Sequence, residues 1–357
     1  MAAVPSTFSS YQIREKGSFD GLKLVSGQST PKPRLGEVLV RVHAVSLNNR
    51  DLQVAKGTYP GVPDVIVPAS DMAGEVVSVG EGVSKWAAGD KVVANFTQGL
   101  IAGNFDDPAL FATGLGGGCD GVLTQYRLFN QEGLVAMPSN LSYEEASTLP
   151  CAPVTSYNAL FGDEQPLRPG QAVVLQGTGG VSVIGAQLAI AAGANAIITS
   201  SSDEKLQRVA DHINKSRNHG GAGHLYTVNY KTHPDWDKEV HKFTKNGRGA
   251  ERVLEIGGAG TMEKSLSALR MGGTIANIGF LASGNPPDLG KLILFKNAKY
   301  RGILIGSRKH LEELVDFVET ADIHPVVERV FPFEEAKAAY DFLASGAHIG
   351  KVVIKVQ

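Results

Sequence analysis

VVLQGTGGVSVIGAQLAIAAGANAIITSSSDEK, residues 173–205, passes from strand to helix to strand and into a second helix. AVVLQG is an apolar run of buried-strand length, and Val181–Ala192 is an apolar helix closed by Gly193. NAIITSS follows as a strand and DEKLQRVADHI as a helix. Between the first strand and the first helix stand Gly177, Thr178, Gly179, Gly180 and Val181. Free N–H groups at a helix N-terminus attract a pyrophosphate, and glycines let the backbone approach it, so this turn reads as a dinucleotide site. Ser182 stands where such a fingerprint places its third glycine, one hydroxyl larger than the packing ideal.

An acid that grips a ribose 2′-hydroxyl is expected roughly 20 residues on, at the end of the second strand. That end reads Thr199, Ser200, Ser201 and Ser202. Hydroxyls there hydrogen-bond a 2′-phosphate, which a carboxylate would repel, and Lys205 adds positive charge one turn later. Asp203 is the rival ribose acid, although Ser202 or Asp203 is more simply the N-cap of the next helix. The charge pattern points to NADP(H), with NAD(H) as the alternative.

Outward from this segment the alternation continues. ERVLEIG (251–257), GTIANIGF (273–280) and YRGILIG (300–306) are strands, with TMEKSLSALR and KHLEELVDFVETA as helices. Strands alternating with helices predict an α/β fold with a doubly wound parallel sheet, a Rossmann domain. Upstream, GEVLVRVHAVSLN (36–48), DMAGEVVSVGEGV (71–83) and GDKVVAN (89–95) are strands with glycine punctuation. They suggest a small antiparallel, barrel-like domain. AHIGKVVIKVQ closes the chain as another strand. The stretch from Phe96 to Leu123 reads as a surface loop or lobe, and Asn214–Gly223 as a polar loop. SYEEASTLPCAPVTSYNALF (142–161) is helical at both ends, and Ser142 with Glu145 forms a capping box.

Composition sets limits. A chain of 357 residues is too long for one ordinary core, so two domains are expected. Hydrophobic residues at 43% and charged residues at 20% describe a globular protein, not a disordered or fibrous one. A net charge of −2 gives no electrostatic reason to expect a nucleic acid or an anionic membrane as partner. No apolar run approaches the roughly 18 residues of a membrane span, and the N-terminus does not read as a secretory signal. Two cysteines, Cys119 and Cys151, cannot build a four-cysteine zinc site, and their scarcity suits a reducing cytoplasm.

LNNRDL, PASDMAGEVVSVGEGVSKWAAGDKV, ASTLPCAPVTSYNAL, the glycine turn, VLEIGGAGTMEKSLSALRMGGTIANIGF and GKVVIKV occur in one order and spacing. With them the chain resembles a medium-chain dehydrogenase/reductase of the zinc-independent, quinone-oxidoreductase-like branch, over nearly its whole length. The resemblance implies a β-rich, GroES-like catalytic domain built from residues 1–150 and 322–357, with a Rossmann domain, 151–321, inserted. The active site would then lie in the cleft between them. Zinc-dependent relatives hold the metal with a Cys, a His and a second Cys, which by motif position are Asn48, Ser70 and Cys151 here. Asn and Ser do not make a tight zinc site and one thiolate cannot hold the ion alone, so no zinc is expected. The Phe96–Leu123 segment stands at the place of the structural-zinc lobe with Cys119 as its single thiol. Cys151 is expected to be a small buried residue.

Without a Lewis acid, reduction of a conjugated C=C is easier to support than reduction of a simple ketone, because a hydrogen bond suffices for the enolate oxygen. The expected activity is NADP(H)-dependent hydride transfer to a quinone or an α,β-unsaturated carbonyl. The alternatives are a metal-free alcohol dehydrogenase or ketone reductase, and an NADPH-binding sensor or structural protein with little turnover. By resemblance, Asn48, Asn49, Arg50 and Asp51 line the catalytic cleft, with Lys56 and Tyr59 on the following loop as proton donors or substrate contacts. Relatives often carry Tyr at the place of Asn49, so a tyrosine donor is out of play there. Arg50 and Asp51 also read as an ion pair that orders the segment. Thr155 is expected near the nicotinamide and Asn229 or Tyr230 near the adenosine. Ile278, Gly279 and Phe280 at a strand end, and Arg308, complete the cofactor contacts. His43 reads as structural. The resemblance further implies a homodimer extended through the YRGILIG strand.

Overall fold

The computed structural model describes residues 4–215, 223–285 and 287–357, so most of the Asn214–Gly223 loop lies outside the described residues. The chain divides into two compact units, Met1–Val154 with Gly306–Gln357, and Thr155–Ile305.

The first unit opens with an antiparallel hairpin, β1 (Thr7–Ile13) and β2 (Leu22–Ser29), in a stretch where the sequence suggested no element. Then come β3 (Glu37–Leu47), α1 (Asn49–Lys56), β4 (Asp71–Val79), β5 (Lys91–Ala94), β6 (Tyr126–Asn130), β7 (Leu134–Ala136) and α2 (Tyr143–Ala146). The expected capping box starts α2: the Glu145 carboxylate accepts from Ser142 N at 2.9 Å, and Ser142 Oγ accepts from Glu145 N at 3.2 Å. β3 organises the sheet. One edge pairs with β4 throughout, while on the other edge Glu37–Arg41 pair with β6. A register shift around His43 breaks the ladder, and a bulge of this kind bends a strand. The Phe96–Leu123 segment corrects a sequence expectation. It is irregular, but Phe96, Leu100, Leu115, Val122 and Leu123 are buried, so only its middle is a surface loop.

After α3 (Ala152–Phe161), the second unit runs β8 (Ala172–Gln176), α4 (Gly180–Ala191), β9 (Asn195–Ser200), α5 (Asp203–Lys215), β10 (Leu225–Asn229), α6 (Trp236–Lys242), β11 (Ala250–Glu255), α7 (Met262–Ala268), β12 (Leu269–Asn277), α8 (Leu289–Lys296) and β13 (Lys299–Gly302). The six strands are parallel, in the order β10-β9-β8-β11-β12-β13. Val173, Val174, Leu175, Ile197 and Ile198 have no exposed surface. Helices on both faces explain why these strands read as unbroken apolar runs rather than as alternation. Strand order reverses between β8 and β11, and in an open α/β sheet the crevice at that point is where ligands bind.

The chain then returns to the first unit with α9 (Arg308–Thr320), β14 (Val327–Pro332), α10 (Ala336–Ala344) and β15 (Lys351–Lys355). β15 pairs with the Ala44–Leu47 half of β3, completing a sheet ordered β14-β15-β3-β4-β5-β7. Residues 306–321 belong to this unit, not to the Rossmann domain as the sequence suggested. The reason is local: Arg308 N donates to Leu100 O at 2.9 Å, Arg308 pairs with Glu132, and Ser139 bonds Glu319. Among the described residues no helix is long and apolar enough to cross a membrane.

Candidate functional site

In the second unit the glycine turn sits at the strand-order reversal. Gly177 has φ +75°, a left-handed conformation that favours glycine. A Cβ at Gly177 or Gly179 would meet nothing within 4 Å, so the backbone here faces open space. Gly179 precedes α4 without a side-chain cap, and the first-turn N–H groups of a helix have no partner within it. This cradle fits a pyrophosphate. Gly177, Thr178, Gly179, Gly180 and Val181 form it together. Ser182 does not face the cradle: it is fully buried and its hydroxyl bonds the Gln176 carbonyl, closing α4 onto β8.

Backbone bonds bring the other cofactor candidates to the same sheet end. Gly177 N donates to Thr199 O at 2.7 Å, and Tyr230 N to Ser200 O at 3.0 Å. Ser200 and Ser201 follow at the tip of β9, with Asn229 opposite Ser200 in β10. Ser202 caps α5, its Oγ accepting from Lys205 N at 3.3 Å. That places Asp203 in the first turn of the helix, and the strand end itself carries hydroxyls, not a carboxylate. Ile278 N and Gly279 N both donate to Glu255 O, at 2.8 and 3.2 Å, while Phe280 is 81% exposed. Thr155 lies buried in α3. Arg308 is taken up elsewhere, since its guanidinium pairs with Glu132 and, at 3.1 Å, with Glu312 in the first unit.

Sequence reasoning missed the bracket that ties the ends of β8 and β11 together at the reversal. Gln176 Nε2 donates to Glu255 at 2.8 Å and to Ser265 Oγ at 2.8 Å, while Gln176 Oε1 accepts from Ile256 N and Gly257 N at 3.0 and 3.1 Å. The buried Glu255 carboxylate also accepts from Gly258 N at 2.8 Å and from the hydroxyls of Thr261 and Ser265. Polar residues ending two otherwise apolar strands, VVLQ and RVLE, were the available signal.

In the first unit a buried polar cluster gathers where β3, β4 and β15 end or begin. Lys351, 5% exposed, donates to Leu47 O at 2.7 Å and to Asn48 Oδ1, and lies 3.9 Å from Asp71 Oδ2. Ser70 Oγ donates to Asp71 Oδ1 at 2.6 Å. Burial pushes the Asp71 carboxyl up to about 6, against the pull of the Lys351 ammonium. The Cys151 thiol is pushed up by desolvation, with Asp71 adding to the shift, so it stays protonated at neutral pH. The three positions that the resemblance equates with zinc ligands thus hold a carboxamide oxygen bonded to an ammonium, a hydroxyl bonded to a carboxylate, and a protonated thiol. Zinc takes thiolate, imidazole or carboxylate donors, and this set does not fit it. Lys351 and Asp71 were not sequence candidates, because nothing local in GKVVIKV distinguishes a buried ammonium from an exposed one.

Beside this cluster, α1 carries Arg50 and Asp51. Asp51 is fully buried and accepts from Asn48 N at 2.8 Å. Arg50 Nη1 stands 3.3 Å from Asp51 Oδ1 and donates to Leu115 O at 3.0 Å. Its guanidinium lies 4.6 Å from the centre of the Tyr59 ring and 5.0 Å from that of Phe96. Desolvation works against the Arg50 charge, but Asp51 and Tyr59 more than offset it. Arg50, Asp51 and Tyr59 are therefore brought together. Asn49 is exposed, and Lys56, at the far end of α1, lies over the Phe19 ring at 5.6 Å. His43 stacks on Tyr143 at 4.2 Å and faces Glu75 at 3.7 Å, with its pKa lowered by burial.

Comparison with known proteins adds to this geometry. Residues 34–139 match the family model of the alcohol dehydrogenase GroES-like domain, and residues 180–320 that of the zinc-binding dehydrogenases. A zinc-type alcohol dehydrogenase-like protein of Schizosaccharomyces pombe is 44% identical over 350 residues, 96% of this chain and 97% of that protein. A 2-methylene-furan-3-one reductase of Solanum lycopersicum is 27% identical, over 99% of this chain and 80% of that protein. The crystal structure of an NAD-dependent alcohol dehydrogenase is 32% identical with a TM-score of 0.83, covering 98% of this chain and 100% of that one.

Proposed function

Belonging to the medium-chain dehydrogenase/reductase superfamily, the chain is an NAD(P)-dependent oxidoreductase, and we propose that it reduces quinones or α,β-unsaturated carbonyls with NADPH and without zinc. The observation that carries this reading is the Asn48–Ser70–Cys151 cluster. Asn48 Oδ1 accepts from Lys351, Ser70 donates to Asp71 and burial pushes the Cys151 thiol up, a donor set that supports chemistry without a zinc Lewis acid to ionise an alcohol or polarise an isolated ketone. A conjugated acceptor needs less, since its charge develops on an oxygen that a hydrogen-bond donor can hold. The likeness to a furanone reductase is in keeping with such an acceptor.

Gly177, Gly179 and the N-terminus of α4 would hold the pyrophosphate, Ser200 and Ser201 the 2′-phosphate, and Thr155, Ile278 and Gly279 the nicotinamide side. The hydroxyls ending β9, with Asp203 drawn into α5, support NADP(H) over NAD(H). When bound, the dihydronicotinamide supplies the hydride that forms the new C–H bond at the β-carbon of an enone. The displaced π pair moves to the carbonyl oxygen, and solvent returns a proton to the α-carbon. A homodimer through the edge strand β13, flanked by exposed Leu294 and Phe295, completes the reading.

The test is oxidation of NADPH and of NADH by chelator-treated protein against quinones, enones and simple ketones. Turnover of enones or quinones with NADPH preferred is expected. Activity confined to alcohols or ketones, and abolished by chelation, would refute the reading.

A further inference from the structure

Lys351 and Arg50 are both packed into the first unit, with side chains 6% and 10% exposed, and Arg50 keeps hydrogen-bonding capacity to spare. Lys351 spends its ammonium on Leu47 O, Asn48 Oδ1 and the nearby Asp71 carboxylate. Arg50 commits Nη1 to Leu115 O and Asp51, but its Nε has no hydrogen-bond partner although the atom is buried. A buried donor left without a partner is uncommon in a folded protein and asks for a ligand.

The surroundings of Arg50 fix the plane of its guanidinium. Asp51 and Leu115 O hold one end, and the rings of Tyr59 and Phe96 lie 4.6 and 5.0 Å from it. Gly117 makes room, since a Cβ there would lie 2.2 Å from Arg50 Nη2. A side chain this long normally loses much rotational freedom on docking to a ligand, and here the cost has been met during folding. The Arg50 side chain keeps 10% of its surface open whereas that of Asp51 keeps none, so the pair is not sealed.

We propose that Arg50 is the electrophile of this enzyme, its guanidinium hydrogen-bonding the acceptor's carbonyl oxygen as that oxygen becomes an enolate or hydroquinone oxyanion, with Gly117, Tyr59 and Phe96 as positioning residues. The proposal rests on the enone or quinone reading above. It balances without a further reactant: two electrons arrive with the hydride, the oxygen takes the displaced pair, Arg50 neutralises it, and solvent supplies the proton. A fixed cation aimed at developing charge does the work that a Lewis acid does in metal-dependent hydride transfer, and loses no reorganisation energy in doing so.

The experiment compares wild type, Arg50→Met, Arg50→Lys and Gly117→Ala. Arg50→Met should lower kcat for an enone about 100-fold, the usual loss for one oxyanion donor. Arg50→Lys should recover part of that loss, and NADPH affinity should stay within about twofold throughout. Gly117→Ala keeps the charge but displaces it, and should lower kcat roughly tenfold with unchanged NADPH affinity. Dimedone, a cyclic 1,3-dione that is an enolate at neutral pH, should bind wild type at least tenfold tighter than Arg50→Met by calorimetry. If wild type reduces enones or quinones and both Arg50→Met and Gly117→Ala keep kcat within threefold, the assignment is overturned. If wild type reduces neither class, the functional reading fails instead, and the dimedone titration still decides whether Arg50 is an oxyanion site. Should Arg50→Met not fold, Gly117→Ala carries the same test.

Discussion

The glycine turn and the cluster around Asn48 solve opposite problems. The turn offers its ligand backbone: Gly177 and Gly179 face open space, and the helix behind them presents unbonded N–H groups. The cluster offers side chains, contributed by β3, β4, the segment before α3, and β15, all turned inward and mostly bonded to one another. A backbone cradle tolerates many side chains so long as glycine keeps its left-handed φ. A side-chain cluster is defined by every one of its members, and exchanging a ligand set for an ammonium–carboxamide–carboxyl set changes its chemistry while the sheet stays the same. On the function proposed here, cofactor binding and reaction type are recorded in different parts of the chain and can diverge independently.

The largest effect that would break this contrast concerns Asp71. Its carboxyl is pushed up from 3.8 to about 6, so the folded protein holds that proton more tightly than the unfolded chain does. The resulting stabilisation is fully present below pH 3.8 and is lost as pH rises through 6. Asn cannot titrate, so Asp71→Asn should gain on wild type by about 2 kcal/mol between pH 4 and pH 7, most of the full linkage at 1.36 kcal/mol per pKa unit. Lys351, Ser70, Asn48 and Asp51 are the groups that act on this carboxyl. Urea unfolding of both proteins across that range reads the difference. A constant gap would mean an ordinary, solvated carboxylate and no sealed cluster.

A smaller effect sharpens the cofactor side. Ser200→Asp places a carboxylate at the tip of β9, where the 2′-phosphate is proposed to lie. NADPH should bind on the order of tenfold more weakly, about 1.4 kcal/mol, with NADH affinity held or improved. Titrating both cofactors by fluorescence gives the ratio. Equal losses for the two would mean that Ser200 does not approach the phosphate, and the NADP(H) preference would lose its support.

What could be read from the sequence follows the same division. Apolar runs of strand length, a glycine turn before an apolar helix, and polar residues at the second strand's end all act locally, and each lay where the structure has it. The two domains were legible because strand–helix alternation begins at Ala172 and glycine-punctuated strands precede it. The boundary at 321 was not. Helix α9 has the pattern of any amphipathic helix, and residues far away in sequence, among them Leu100, Glu132 and Ser139, tie it to the first unit. Lys351 and Asn48 are 303 residues apart, and no local pattern could have paired them. The Gln176–Glu255 bracket was half visible, as polar residues closing apolar strands, but its purpose depends on two strands being neighbours.

Ser182 supplies the finest distinction between backbone and side-chain information. At the third fingerprint position a glycine normally permits close packing of helix on strand. Here the serine is fully buried and its hydroxyl bonds Gln176 O, so the contact that glycine allows by absence is made by a hydrogen bond. Ser182→Gly would restore the fingerprint and remove that bond. Glycine inside a helix costs about 0.5–1 kcal/mol relative to a residue with a Cβ, and the lost hydrogen bond about as much again. Thermal unfolding should therefore show a loss of about 1–2 kcal/mol, while NADPH affinity stays within about twofold if the cradle is made by Gly177 and Gly179 as proposed. A gain in stability would mean that the serine strains the turn. A marked change in cofactor affinity would mean that the side chain reaches the pyrophosphate after all, and the separation between backbone cradle and side-chain cluster would no longer hold.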